Sequence, residues 1–513
     1  MREKHMKKMR MVGLLLTMAM ITTACGTTSL GDAASSHPGE ADVSTIATGN
    51  QELGISCHDP QILNDNGTYY MTGSHIVLAK SEDLQQWDYI SNGNAKNYIS
   101  NLYSGDLEAF SYVGKNEDGG YSLWAGNIFY NETMGKYCLY FCTSSSYIKS
   151  TLALAVSDTP EGPYEYTDTL LYSGFSKKEA DQTDLYDVIG DADDSRYFKL
   201  GSYNNNLWPN CIDPAVYTDA DGRIWMVYGS WSGGIFTLEI DAATGLPIHP
   251  EGDEANGVDP YFGYHLIGGG HHACEGAYMT YNFDNGYYYL FVSYGNLQRE
   301  GGYQIRQFRS TSPVGPFVDA AGNTLGDQED YFSYGLKMAG NYDFPSLETA
   351  YMAPGGQSVF FDTDGNPYMV YHQRFDQGTE YHEPRVHRMY LTGDDWYVMA
   401  PFAYTGDEEK MLDIQQNDIA GTYYVVNHET DVSNVIHRAV EWKFGADGSI
   451  SGEAQGNYTI SEDSGEITVT LDGVTYTGVV IRMDDEAGNP VETFMATGNN
   501  NETLWGVRYL KED

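Results

Sequence analysis

The sequence predicts an all-β fold: a five-bladed β-propeller followed by a small C-terminal antiparallel β-barrel or sandwich. Three observations carry this expectation. Tyr (43) and Gly (57) are abundant among 513 residues, and Tyr plus Gly with few helix formers points to strands joined by tight turns. Five turn signals recur: Asp65-Asn66-Gly67, Met134-Gly135, Asp221-Gly222, Asp284-Asn285-Gly286 and Asp364-Gly365. Their glycines can take the positive φ a tight hairpin needs, and each turn leads into an aromatic-rich run such as Tyr287-Tyr288-Tyr289-Leu290 or Tyr368-Met369-Val370-Tyr371. After Pro401 this texture changes.

In chain order, the first element is an export signal over residues 1–24. Arg2, Lys4, Lys7, Lys8 and Arg10 precede an apolar run from Met11 to Ile21, and small residues lead to Cys25. This is the order of a secretory peptide, and the run is too short to span a bilayer. Ala24-Cys25-Gly26 is similar to the acylation box of bacterial lipoproteins, with Thr22 in place of the usual Leu. The expectation is a bacterial cell-surface lipoprotein attached only through lipid on Cys25, with plain secretion as the alternative. Residues 25–50, rich in Ser, Thr, Ala and Gly, read as a flexible tether.

Residues 51–406 read as the propeller. The turn glycines lie 64 to 87 residues apart, which suits blades of about four strands plus insertions. A sandwich array would repeat nearer every ~100 residues. Ser157-Asp158-Thr159-Pro160-Glu161-Gly162-Pro163-Tyr164 echoes Ser310-Thr311-Ser312-Pro313-Val314-Gly315-Pro316-Phe317, and Lys80 to Trp87 holds the equivalent place in the first unit. Residues 407–513 hold short alternating runs such as Glu466-Ile467-Thr468-Val469-Thr470-Leu471 and read as a separate β domain.

Composition excludes some partners. Lys and Arg number 28 against 72 Asp and Glu, a formal charge of −44. A nucleic-acid backbone needs basic residues to displace its counterions, so it is not an expected partner. Cys57, Cys138, Cys142, Cys211 and Cys274 form no close CxxC pair, which argues against a disulfide scaffold or zinc ribbon and for buried thiols.

Three acids open three of the units: Asp59 in Ser56-Cys57-His58-Asp59-Pro60, Asp213 in Asn210-Cys211-Ile212-Asp213-Pro214, and Glu275 in Cys274-Glu275-Gly276-Ala277-Tyr278. The first strand of each blade lines the central channel, so acids at three such starts converge at one end of it. Close carboxylates raise one another's pKa, and a pair with separated pKa values can supply an acid and a base. That pair is what hydrolysis of a glycosidic bond requires. Asp-Pro is also a common turn opener, but matching positions in separate blades favour chemistry.

These motifs resemble glycoside hydrolase family 43, the inverting five-bladed propeller enzymes. The match is nearest the two-domain endo-α-1,5-L-arabinanases. It is carried also by Trp225-Met226-Val227-Tyr228-Gly229-Ser230-Trp231-Ser232-Gly233-Gly234-Ile235-Phe236, His372-Gln373-Arg374-Phe375, Pro384-Arg385-Val386-His387 and Gly421-Thr422-Tyr423. The resemblance implies cleavage of internal α-1,5-L-arabinofuranosyl links of arabinan by a monomeric enzyme. Asp59 would be the general base, Glu275 the general acid, and Asp213 the residue that orients the acid and raises its pKa. Inversion needs base and acid about 6.5–9.5 Å apart. The resemblance further implies a channel-bound calcium near His372, held partly through water. It implies sugar contacts at His58, Trp124, Asn210, Ser230 and His271. Gly126-Asn127 stands where the family reads Pro-Asp, and Gly356 where relatives often carry histidine. Two alternatives stay open: an exo-acting arabinofuranosidase or xylosidase of the same family, and a non-catalytic glycan-binding lipoprotein.

Overall fold

The computed structural model describes residues 39–92, 99, 108–324 and 331–511. The expected export signal and Cys25 lie outside them. Among the described residues are five antiparallel sheets built as consecutive meanders. The first comprises Gln61–Asp65, Thr68–Thr72, Val77–Ser81 and Asp88–Asn92. The second comprises Ser122–Asn131, Lys136–Ser146, Lys149–Ser157 and Glu165–Tyr172. The third is Ala215–Thr218, Ile224–Tyr228, Ile235–Ile240 and Gly263–Ile267, with two short added strands. The fourth is Cys274–Tyr281, Tyr288–Tyr294, Gln304–Ser310 and Leu336–Ala339, and the fifth Tyr351–Phe361, Pro367–Phe375, His382–Leu391 and Tyr397–Met399. These are the five expected propeller blades. All five turn glycines have positive φ, between 61° and 93°, and in the first blade Asp65 pairs with Thr68 across the two-residue turn.

Each innermost strand enters the channel through a left-handed residue: Asp59 (φ 51°), Ala125 (44°), Asp213 (57°), Gly276 (58°) and Gly356 (59°). Such a residue turns the chain sharply. The triplets beginning at these five residues line one narrow axial cavity of about 40 Å³. Side chains tie neighbouring blades there. Gln61 Oε1 accepts the Ile128 amide at 3.0 Å, Asn127 Oδ1 accepts the Val216 amide at 3.2 Å, Gln357 Nε2 donates to the Gly276 carbonyl at 2.8 Å, and Ser358 Oγ donates to the Pro60 carbonyl at 2.9 Å. The last bond joins the fifth blade to the first. Asn127, which departs from the family's pattern, is therefore a buried tie between blades.

The C-terminal domain is a barrel rather than a sandwich. Eight strands from Gly421–Asn427 to Thr503–Tyr509 pair in chain order, and the last pairs back on the first. A ninth short strand, Glu409–Lys410, pairs with Val474–Asp484. Closure leaves no long free edge. Its interior, with Tyr423, Trp442, Phe444 and Phe494, is a core of its own. One face of the barrel packs on blades four and five: Trp505, Val507, Met495 and Ile481 form one shared cluster with Tyr342, Tyr371, Phe402 and Met399. Tyr342–Asp343 also pairs in parallel with His437–Arg438 of the C-terminal part.

Residues 39–50 differ from the expected tether. Glu40 bridges Leu510, the Ala41 amide donates to the Tyr509 carbonyl at 3.0 Å, and Gly49 donates to Ser346 at 2.9 Å. Ala41, Val43 and Ile46 pack on the shared core. Spaced apolar side chains and backbone bonds hold a stretch whose composition suggested a linker.

Trp505 is fully buried, edge-on to Tyr342 at 5.1 Å and to His428 at 4.3 Å. Trp505→Ala is expected to cost about 3–5 kcal/mol. Urea unfolding of the wild type should show a single transition that the substitution shifts to lower denaturant. Separate transitions for the two parts would contradict a shared core.

Candidate active site

The three acids meet in one groove. A cavity of about 550 Å³ is lined by Asp59, Asp213 and Glu275 together with His58, Trp124, Asn210, Leu297 and Tyr303. It continues over the second blade to Asn116, Glu117 and Asp118 and to the turn from Ser144 to Tyr147.

Asp59 is held as a carboxylate. Burial alone would raise its pKa, but His58, the Ser74 hydroxyl and more distant His382 outweigh burial and lower it. His58 Nδ1 lies 2.8 Å from Oδ2, and Ser74 Oγ donates to the same oxygen at 2.6 Å. Ser74 Oγ in turn accepts the Ala125 amide at 3.0 Å, which fixes its direction.

Glu275 goes the other way. Burial pushes its pKa up and the charge of Asp59 adds to this, while hydrogen bonds from Tyr303, Ser230 and Trp231 partly oppose them. Tyr303 Oη donates to Oε1 at 3.0 Å. Ser230 Oγ and Trp231 Nε1 donate to Oε2 at 3.0 and 2.9 Å. Asp213 is pushed well above the usual carboxylate range by burial, then by the charges of Asp59 and Glu275. It accepts the Gly276 amide at 3.2 Å, next to the acid it was expected to orient. One carboxyl of lowered pKa thus faces two of raised pKa, the separation that acid–base chemistry needs.

The expected sugar contacts divide. His58, Trp124 and Asn210 line the groove; Trp124 stands edge-on to His75 at 4.7 Å, and Asn210 Oδ1 is buried without a partner. Ser230 is buried, and its hydroxyl is spent on Glu275 rather than offered to a ligand. His271 lies outside the groove-lining residues, with Nε2 2.6 Å from Asn206 Oδ1 and Nδ1 3.3 Å from Tyr147 Oη. Cys57 and Cys211 are buried free thiols, both raised in pKa by burial. Sequence reasoning assigned no role to Trp231 or Tyr303. Trp231 sits in a quoted motif, but Tyr303 lies in a Gly-rich loop that carries no such signal.

His372 is buried behind Asp59, stacked on His58 at 4.1 Å and on Tyr303 at 5.7 Å. Its Nδ1 lies 3.8 Å from Asp59 Oδ1, and its Nε2 is a buried atom with no hydrogen-bond partner. Ligand atoms of His58, Asp59 and His372 lie within 4.8 Å of one another. Calcium prefers six to eight oxygens. One carboxylate and an imidazole nitrogen fit it only as a hydrated ion, with water filling most of the shell. Gly356 leaves the room: a Cβ there would lie 2.5 Å from Asp59 Oδ1 and 2.8 Å from His372 Nδ1. A histidine at this position is not accommodated in the present arrangement.

Carboxyls whose pKa values are driven apart, in a groove large enough for more than one sugar ring, are the equipment of a glycoside hydrolase. Residues 170–397 match the profile of Glycosyl hydrolases family 43, and residues 401–506 match its C-terminal lipocalin-like domain. The chain belongs to glycoside hydrolase family 43. It is 36% identical over 475 residues to an extracellular endo-α-(1→5)-L-arabinanase of Bacillus subtilis, covering 88% of this chain and 93% of the relative. It is 34% identical over 468 residues to the corresponding Thermotoga petrophila enzyme, covering 88% and 93%. A solved family 43 protein from Bacillus licheniformis superposes with a TM-score of 0.77 at 35% identity, covering 88% of this chain and 98% of that one.

Gly356→Ala should displace Asp59 and His372. The expected result is a loss of about 10–100-fold in kcat/KM, as for a misplaced reacting group. Wild-type kinetics in this variant would show that the contact is not felt by Asp59.

Proposed function

We propose that this chain is an inverting endo-α-1,5-L-arabinanase. The observation that carries the reading is the juxtaposition of Asp59 and Glu275, their pKa values shifted in opposite directions, in a groove that continues across the second blade. The names of the Bacillus and Thermotoga relatives supply the glycan, and both are named extracellular, in keeping with the export signal expected at the N-terminus.

In this reading the Asp59 carboxylate takes a proton from water as the water oxygen bonds to the anomeric carbon. Glu275 gives its proton to the departing glycosidic oxygen, and the configuration at carbon inverts. Asp213 helps keep the acid in place by accepting the amide of the neighbouring Gly276. A groove of about 550 Å³ suits several sugar residues and supports internal cleavage. An indole such as Trp124 suits the apolar face of a sugar. His372 and Asp59 would hold a hydrated calcium, whose charge would stabilise the carboxylate beside it.

Asp59→Ala and Glu275→Ala are each expected to lower turnover of linear arabinan by at least ~10³-fold. Oligomers should appear first; monomer alone from the earliest minute would favour the exo reading, and binding without turnover in the wild type the lectin reading. The pH profile of kcat/KM should be a bell. Activity falls on the acid side as Asp59, whose pKa is lowered, becomes protonated. It falls on the alkaline side as Glu275, whose pKa is raised, loses its proton. Exhaustive chelation should lower the melting temperature and added calcium restore it; an unchanged melting curve would remove the calcium proposal.

A further inference from the structure

We propose that the C-terminal barrel positions the catalytic acid, through a strap at residues 428–438 that holds the loop bearing Tyr303. The inference rests on reading Glu275 as the general acid.

The loop is residues 295–303, between the second and third strands of the fourth blade. It brings Leu297 and Tyr303 to the groove, and Tyr303 bonds Glu275 Oε1 at 3.0 Å. Within the loop, the Asn296 amide donates to Gly301 at 2.9 Å. On one side Arg299 reaches the fifth blade, its amide donating to Glu380 Oε2 at 3.0 Å and its Nη1 to Asp376 Oδ1 at 3.3 Å.

The other side is held by the strap. Gly302 (φ 73°) lies so close that a Cβ would stand 2.9 Å from the Ser433 amide nitrogen and 3.1 Å from its carbonyl oxygen. Three buried side chains of the fourth blade reach across. Gln304 Nε2 donates to the Asp431 carbonyl at 2.8 Å, Arg306 Nη2 to the Thr430 carbonyl at 2.5 Å, and Lys337 Nζ to both the carbonyl and Oδ1 of Asp431 at 2.9 Å. Arg306 is 0% and Lys337 2% exposed. Buried cations left without partners are strongly destabilising, so these bonds pull the strap inward as firmly as they satisfy the blade. Asp431 is the hub, taking His437 Nε2 at 3.0 Å and the Ser433 hydroxyl besides Lys337. Beyond it, His437–Arg438 pairs with Tyr342–Asp343. The strap is thus anchored at both ends, and its middle braces the residue before Tyr303.

Asp431 and Ser433 touch none of the three acids. They act as positioning residues through Gly302 and Tyr303. A hydroxyl moved by about 1 Å releases one oxygen of Glu275, and misplacement of that size costs up to ~10²-fold.

The test uses the full chain with Tyr303→Phe, Asp431→Ala and the double variant. The substrates are linear arabinan and a dinitrophenyl α-1,5-arabinotrioside, whose leaving group needs little protonation. Each single variant should lower kcat on arabinan by about 10–100-fold, with KM within about twofold and nearly unchanged turnover of the dinitrophenyl substrate. The double variant should be no worse than Tyr303→Phe alone, because both act on one interaction. Asp431→Ala losing activity equally on both substrates, adding fully to Tyr303→Phe, or lowering only the melting temperature would overturn the strap. If Tyr303→Phe itself shows no leaving-group dependence, the reading of Glu275 fails instead. Should Asp431→Ala not fold, Gly302→Ala, which pushes the loop off Ser433, is expected to show the same signature and is judged by the same outcomes.

Discussion

Three half-buried carboxyl groups crowded at one end of a channel resist being charged together, and the propeller is organised around how that conflict is settled. Hydrogen bonds from Ser74 and His58 concentrate negative charge on Asp59. Asp213 and Glu275 are left in surroundings where burial and that charge favour the proton. Coulomb repulsion is strong in a low-dielectric interior, so small displacements of the donors would change which group holds the proton. The side chains around the acids are accordingly fixed in their turn: Ser74 by the Ala125 amide, and Tyr303 by its loop.

The ring that holds these groups is tied at its centre. A left-handed residue within or just before each innermost strand opens its stretch along the axial cavity, and side chains from Gln61, Asn127, Gln357 and Ser358 cross from blade to blade. The chain closes without an exchanged strand, so these ties and the packing between blades keep the five starts in register. The C-terminal barrel adds a second support. One face of it packs in a shared apolar cluster with blades four and five, the two blades that carry Glu275 and His372.

Much of this was legible along the chain. The five Gly-containing turns marked the blades because a two-residue hairpin admits few residue types. Asp59, Asp213 and Glu275 stood out because each opens a unit. The residues that orient them were not legible. Trp231 and Tyr303 donate to Glu275 from a different blade and a different loop, and no spacing in the sequence relates them to it. Ser230 read as a sugar contact, whereas its hydroxyl points to the acid. His271 read as another, yet it stands behind the lining, bonded to Asn206 and to Tyr147, of which only Tyr147 lines the groove. Residues 39–50 read as a tether because composition does not reveal that Ala41, Val43 and Ile46 find a core more than 300 residues further on.

The sequence by itself determined the class of fold and singled out the three acids that the structure brings together, because turn chemistry and strand periodicity are local properties. Tertiary structure alone decided the opposite pKa shifts of those acids, the contacts of Tyr303 and the bracing of its loop by Asp431 and Ser433. Each of these depends on distances between groups far apart in the chain, and electrostatic and hydrogen-bond energies are set by distance and burial rather than by order along the sequence.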